Sequence, residues 1–301
     1  MNNIPPAGDD QAASVRPTPR QIMFARIRKH YGFQFGLLVL VAIVLMAIFA
    51  PLLAPHDPYV QDLSSRLTDP VWGAKGSWEH PFGTDGLGRD YLSRMIYGSR
   101  IALIIGFSTI AISGVIGTVL GVTAGYFGGR VDTVISFLIL NRLSLPLILI
   151  ALAVVASVGN SLTIVILVLG FLLWDRFAVV MRSATMQVRN MEYIAAAEVL
   201  GARAPRILIK DVFPNVLNQL IVVATLEMAH AILLEAAMSF LGLGVQPPLP
   251  SWGLMVSEAS KFMFFKAWMV TIPGSAIFLL VFAINLLGDG VRDIAAPESR
   301  N

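Results

Sequence analysis

The chain has 301 residues with 22 Lys plus Arg against 19 Asp plus Glu, so charged side chains make up 14%, where a soluble domain carries roughly 25%. With 56% apolar residues and a mean hydropathy of +0.72, water cannot solvate most of its surface, and the length divides into membrane spans of roughly 20 apolar residues each. No stripe of Lys and Arg is interleaved with aromatics, which excludes nucleic acid as a partner, and the absence of Cys excludes disulfides, thiolate metal sites and cysteine nucleophiles.

In chain order, residues 1–34 form a partly disordered lead with Pro5, Pro6, Pro17 and Pro19, ending in a juxtamembrane basic anchor of Arg26, Arg28 and Lys29. Residues 35–55 give the first span, a signal anchor ended by Pro51, Pro55 and Pro58. An external loop, 56–99, precedes a transmembrane core over 100–301. The core holds a second span from Ile101 to Tyr126 and a third from Thr133 to Val158, interrupted by Arg142. After a turn at Gly159 and Asn160 the fourth runs from Ser161 to Met181, its inner end marked by Asp175 and Arg176. A fifth span from about Val216 to Leu243 contains Glu227, His230 and Glu235, and Ala267 to Leu287 is the sixth. The loops on the side of both termini carry about twice the Lys and Arg of the opposite loops, which places both termini in the cytoplasm.

The cytoplasmic loop 182–215 is too long for a simple turn. Within it, Glu192 to Leu200 is rich in good helix formers, Gly201 is suited to a positive-φ helix end, and Arg206 to Phe213 forms a second amphipathic piece leading to Pro214 and Asn215. Two short helices with small side chains at one tip suit insertion into a partner's groove; the competing reading is an idle interfacial helix. In the second span Gly117, Gly121 and Gly125, preceded by Ser113, make a smooth packing face.

The external segment His80 to Arg94 is a Gly-rich turn followed by an amphipathic stretch. Gly83, Gly86 and Gly88 make no phosphate loop, since no strand precedes them, and G-x-x-x-x-G-K-[ST] occurs nowhere in the chain, so this chain does not hydrolyse ATP alone. Glu227, His230 and Glu235 fall within about 140° of arc on one helix, and ionisable groups in a span must face protein or water. They either line a pathway or bond helices together, Glu235 being the more structural. Arg142 sits roughly 17 Å along its helix in about 30 Å of hydrocarbon, too deep to snorkel. It calls for a static pair with Glu227 or Glu235, or a watery pathway where it meets a passing carboxylate, with Pro146 kinking the helix nearby. Ser239 and His230 lie about two and a half turns apart with no G-x-S-x-G around the serine, which argues against a hydrolase. A proton-coupled carrier using Glu227 and His230 is the alternative reading; it leaves the long loop without a role.

Ala196-Ala197-x-x-x-Gly201 followed by Phe213-Pro214-Asn215 resembles the EAA loop of permease subunits of ATP-binding cassette (ABC) importers. The leading Glu of that motif falls on Ala195 here, so Glu192 or Glu198 would stand in for it. Three further segments, His80 to Arg94, Glu235 to Gly244 with Pro247 to Met255, and Asn285 to Asp293, are similar to the peptide, nickel and opine class, in particular to its C-type dipeptide and oligopeptide permeases. Leu140, Val179 and Ala296 depart from residues usual in that class. The resemblance implies an all-α integral membrane protein with six transmembrane helices, the type I ABC importer permease fold, and a cytoplasmic coupling loop carried by Glu192, Ala196, Ala197, Glu198, Leu200, Gly201 and Pro214. It implies a non-enzymatic permease of the inner membrane working by alternating access on peptides or similar small solutes. Implied partners are a B-type permease chain, two ATP-binding subunits and an extracytoplasmic binding protein. No cofactor is expected on this chain, ATP and Mg being bound by the ATPase partners.

Overall fold

A computed structural model describes residues 27–295. The lead to residue 26, including Arg26 of the basic anchor, and Ala296 and Pro297 lie outside them. The described residues are helical, with no strand among them beyond an isolated bridge between Thr84 and Asp90. Among the described residues five helices are long and apolar enough to cross a membrane, and up to six crossings result when a bent pair is counted as one span.

The first, α1 (Tyr31–Ile48), starts at His30, whose Nδ1 accepts the Phe33 N–H at 3.0 Å, and is followed by a helical turn, Ala50–Leu53, with Pro51 in its first positions. Helix α2 (Tyr91–Phe127) begins well before the apolar run that marks it in the sequence. Asp90 caps it by accepting the Ser93 N–H at 2.7 Å, and its first turns are buried against other parts of the chain, so hydropathy gives no sign of them. The loop expected over 56–99 therefore ends at Asp90. The third span is two helices, α3 (Gly129–Leu143) and α4 (Leu147–Val158), bent 82° apart. Pro146 stands at the break; without an N–H it cannot continue α3, and it biases the residue before it away from helical geometry. The expected kink is thus a full interruption.

Helices α5 (Leu162–Leu172) and α6 (Trp174–Arg189) join at Leu173 into one crossing that runs past the expected inner end at Met181. Its charged residues are held by the protein: Asp175 is buried, and the Arg176 guanidinium meets Glu227. Then come α7 (Glu192–Val199), a turn at Ala204–Ile207, a π-helical turn at Leu208–Val212, and the long α8 (Phe213–Phe240). Helix α9 (Trp252–Ala259) lies between α8 and the last crossing, α10 (Trp268–Ala295). Pro273 inside α10 cannot donate to the Met269 carbonyl, and the buried Tyr91 hydroxyl donates to that oxygen instead.

Packing is tightest where α2 meets α6. A Cβ on Gly117, Gly121 or Gly125 would stand 2.3, 2.5 or 2.6 Å from the carbonyl oxygens of Trp174, Ala178 and Arg182, respectively. Only glycine lets the two backbones touch. One apolar core joins α1, α2, α8, α9 and α10 around Ile43, Leu103, Ile232, Met255 and Ile284. A second joins α2, α4, α5 and α8 around Ile105, Val155, Leu169 and Met238. Gly36 of α1 faces the Ala283 carbonyl of α10 at 2.6 Å from an ideal Cβ. His30 Nε2 lies 3.2 Å from Asp293 Oδ2, so both ends of the described chain emerge at one end of the bundle.

At the opposite end an ionic clasp closes the fold. Asp85 accepts Arg89 Nε at 2.7 Å and also Arg94 Nη1, while Glu258 accepts Arg89 Nη2 at 3.1 Å and Arg94 Nη1 at 2.8 Å. Lys266 pairs with Asp69 beside it.

Candidate functional site

The loop after α6 is built as an exposed tip on a buried base. Ile194 of α7 is buried with Val122 and Tyr126 of α2, Met181 and Val188 of α6, and Ile207, Val212 and Val216 of the following turns. The Tyr126 hydroxyl donates to Glu198 Oε1 at 3.0 Å, tying α7 to the end of α2. Above this base α7 stops abruptly. Gly201 takes φ +79°, its N–H donates to the Glu198 carbonyl at 2.9 Å, and the Ala202 N–H donates to the Ala197 carbonyl at 3.0 Å. This left-handed closure satisfies the carbonyls that a helix end leaves open. It presents Val199 and Leu200, 86% and 87% exposed, at the tip.

Around that tip, Glu192 lies exposed in the first turn of α7, where the helix dipole favours an anion. Ala196 is exposed and Ala197 half-buried. Pro214 stands exposed where the π-helical turn at Leu208–Val212 runs into α8. Of the seven loop residues singled out in the sequence, Glu192, Ala196, Ala197, Glu198, Leu200 and Gly201 lie along α7 and its closing turn, and Pro214 stands on the following helix. Tyr126 as the anchor of Glu198 has no sequence signal, because it lies in a different span.

The buried charges separate into three places. Glu227, its side chain 1% exposed, has Arg176 Nη1 at 3.3 Å and His230 Nδ1 at 3.5 Å; Arg176 itself is 58% exposed. The His230 contact lies at the edge of bonding range, and neither His230 Nδ1 nor Glu227 Oε2 makes a well-formed hydrogen bond. Glu235 sits elsewhere on α8 and accepts the Ser239 hydroxyl at 2.7 Å, while Ser239 Oγ accepts the Val245 N–H at 3.2 Å. That hydroxyl bridges Glu235 to the turn after α8.

Arg142 meets neither glutamate. Its Nε and Nη2 donate to the Leu172 carbonyl at 3.0 and 2.7 Å. At the α5–α6 junction the Arg176 N–H turns to Asp175 Oδ1 at 3.0 Å, and the Leu172 carbonyl is taken by the guanidinium. The expected carboxylate partner is therefore replaced by a backbone carbonyl at the α5–α6 junction. Arg176, the actual partner of Glu227, has the look of a span-end charge in the sequence, which hid its role.

The molecule so described is a polytopic helical membrane protein with an exposed loop helix at one end. Residues 117–301 match the family described as "Binding-protein-dependent transport system inner membrane component", and residues 18–70 match "N-terminal TM domain of oligopeptide transport permease C". The chain is 39% identical over 301 residues to the di/tripeptide transport system permease protein DppC of Pseudomonas aeruginosa, covering 100% of this chain and 99% of the relative. It is 41% identical over 287 residues to the dipeptide transport system permease protein DppC of Escherichia coli K12, covering 95% and 96%. A solved structure of the MetNI methionine ABC transporter superposes with a TM-score of 0.52 at 19% identity, over 66% of this chain and 93% of that one. The chain belongs to the binding-protein-dependent transport permeases and is a permease of an ATP-driven importer. It is not an enzyme, and membership sets aside the proton-coupled carrier.

Proposed function

We propose that this chain is the C-type permease of an inner-membrane importer for dipeptides or short oligopeptides. It pairs with a B-type permease chain above two ATP-binding subunits that hold ATP and Mg, and receives substrate from an extracytoplasmic binding protein. Support for the peptide class comes from relatives named for dipeptide and di/tripeptide transport at near-full coverage. The observation that carries the coupling role is the exposed Val199–Leu200 end of α7 on its buried base. A lone hydrophobic tip costs solvation unless a partner covers it. Arg176, Glu227 and His230 line the translocation pathway on the side completed by the second permease chain, and Arg142 acts as a brace.

Gly201→Val tests the coupling role. At φ +79° a β-branched residue costs about 1–3 kcal/mol, while a Cβ there meets nothing within 4 Å, so the fold accepts the substitution and only the tip geometry changes. Uptake in vesicles should fall by roughly tenfold or more at unchanged subunit association. Wild-type ATP-driven uptake would remove the coupling assignment.

The orientation proposed here puts both termini and α7 in the cytoplasm. Single cysteines in this Cys-free chain should react with an impermeant reagent from outside at Ser77 or Ser257, and at Ser183 only after permeabilisation. The reverse pattern inverts the topology.

A further inference from the structure

One cluster of metal-ligating side chains has no part in the coupling loop, the buried charges or the ionic clasp. We propose that His56, His80 and Asp90 bind one divalent transition-metal ion of the zinc class. His56 Nδ1 lies 3.7 Å and His80 Nδ1 2.9 Å from the same oxygen, Asp90 Oδ1. All three ligand atoms lie within 4.8 Å of one another. Ligands about 2.0–2.1 Å from a tetrahedral zinc ion stand about 3.3 Å apart, so small rotations of the two rings suffice to admit it. Two imidazoles and one carboxylate suit zinc and its neighbours, whereas Ca²⁺ and Mg²⁺ favour oxygen sets.

The three residues are held in place by bonds made through other atoms, so that an ion has only the His80 Nδ1–Asp90 Oδ1 hydrogen bond to replace. Asp90 Oδ2 accepts the Ser93 N–H at 2.7 Å, which fixes the plane of the carboxylate. Ser93 Oγ in turn accepts the His56 N–H at 3.0 Å, anchoring that histidine to the start of α2. The His80 carbonyl accepts the Gly83 N–H at 2.8 Å, and the Thr84–Asp90 bridge closes the same turn. Asp90 is the buried member, its side chain 1% exposed, and a buried carboxylate requires a compensating cation or donors.

A plain histidine–carboxylate pair accounts for His80 alone. It leaves unexplained why His56 turns to the same oxygen, with its ring centroid 4.7 Å from that of His80. His56 keeps 39% of its side chain exposed and borders a cavity of about 320 Å³ shared with Asp57, Tyr59 and Tyr97. The His56 edge of the cluster is thus open to an ion arriving from outside. A bound ion cross-links the residue just after the first crossing to both ends of the turn that starts α2.

The test uses the full-length chain purified with its co-expressed partner subunits through a tag free of histidine, stripped with EDTA and titrated with Zn²⁺ by calorimetry. The wild type should bind one Zn²⁺ more per chain than the His56→Asn/His80→Gln double variant, and each single variant should bind at least roughly tenfold more weakly. His230→Gln should bind as the wild type does. The amides of the variants can still bond to Asp90, which protects the fold. Thermal midpoints give a second reading within each protein: Zn²⁺ should raise that of the wild type and leave that of the double variant unmoved. Equal Zn²⁺ binding by wild type and double variant overturns the proposal, as does preference of the site for Ca²⁺ or Mg²⁺ over Zn²⁺.

Discussion

Gly121→Leu should prevent this permease from reaching a stable fold. The new Cβ would lie 2.5 Å from the Ala178 carbonyl oxygen and 2.9 Å from Met181 Cβ, and the rest of the leucine would have to pass through α6. Overpacking that side chains can absorb costs about 1–3 kcal/mol. Here the obstacle is backbone, so relief comes only from parting α2 and α6 along the whole seam from Gly117 to Gly125, which forfeits dispersion contacts on both helices. The expected result is loss of monodisperse protein in size-exclusion chromatography. Gly274→Ala is the control, because a Cβ there meets nothing within 4 Å. A Gly121→Leu protein with wild-type yield and thermal midpoint would show that the seam is looser than this.

Asp85→Ala should be the second most damaging change. Arg94 and Arg89, both buried, share Asp85 and Glu258, and Asp85 Oδ1 also accepts the N–H groups of Leu87 and Arg89 at 2.8 and 3.0 Å. Removing the better-buried anion leaves two guanidinium groups facing one carboxylate, and breaking a buried pair of this kind costs about 3–5 kcal/mol. A lower thermal midpoint in detergent or nanodiscs measures it. Adding Arg94→Met should recover part of the loss, since the uncompensated cation is the main penalty; strictly additive effects would mean that the two residues are not coupled.

Crossings were legible in the sequence where lipid alone decides them, as in α1 and α10, because an uncharged apolar run has no other stable solvent. The glycine seam was legible as well, since a four-residue spacing of Gly117, Gly121 and Gly125 has a direct steric meaning. The start of α2 was not. Tyr91 to Ser99 are buried by protein apart from the half-buried Leu92 and Tyr97, and Glu258, which reaches Arg89 and Arg94, comes from a distant part of the chain. In the site, Gly201 declared the end of α7 because positive φ is a property of one residue. The partner of Arg142 was hidden for the opposite reason: a backbone carbonyl leaves no trace in side-chain identity, and Leu172 reads as any apolar residue.

Helix α2 has 37 residues, a length of about 55 Å, and each of its ends is fastened. Tyr126 is bonded to α7 near one end, and Asp90, Arg94 and the clasp hold the other. Its glycine face is seated on the α6 backbone, so the two helices form a double beam whose bending stiffness exceeds that of either alone. On the coupling role proposed above, a displacement imposed at the α7 tip would reach the far face of the bundle as a tilt, with little taken up by side-chain repacking on the way. The Leu143–Leu147 break, where α3 and α4 are joined without a continuous hydrogen-bond ladder, contrasts with that beam as a place where the backbone is not braced.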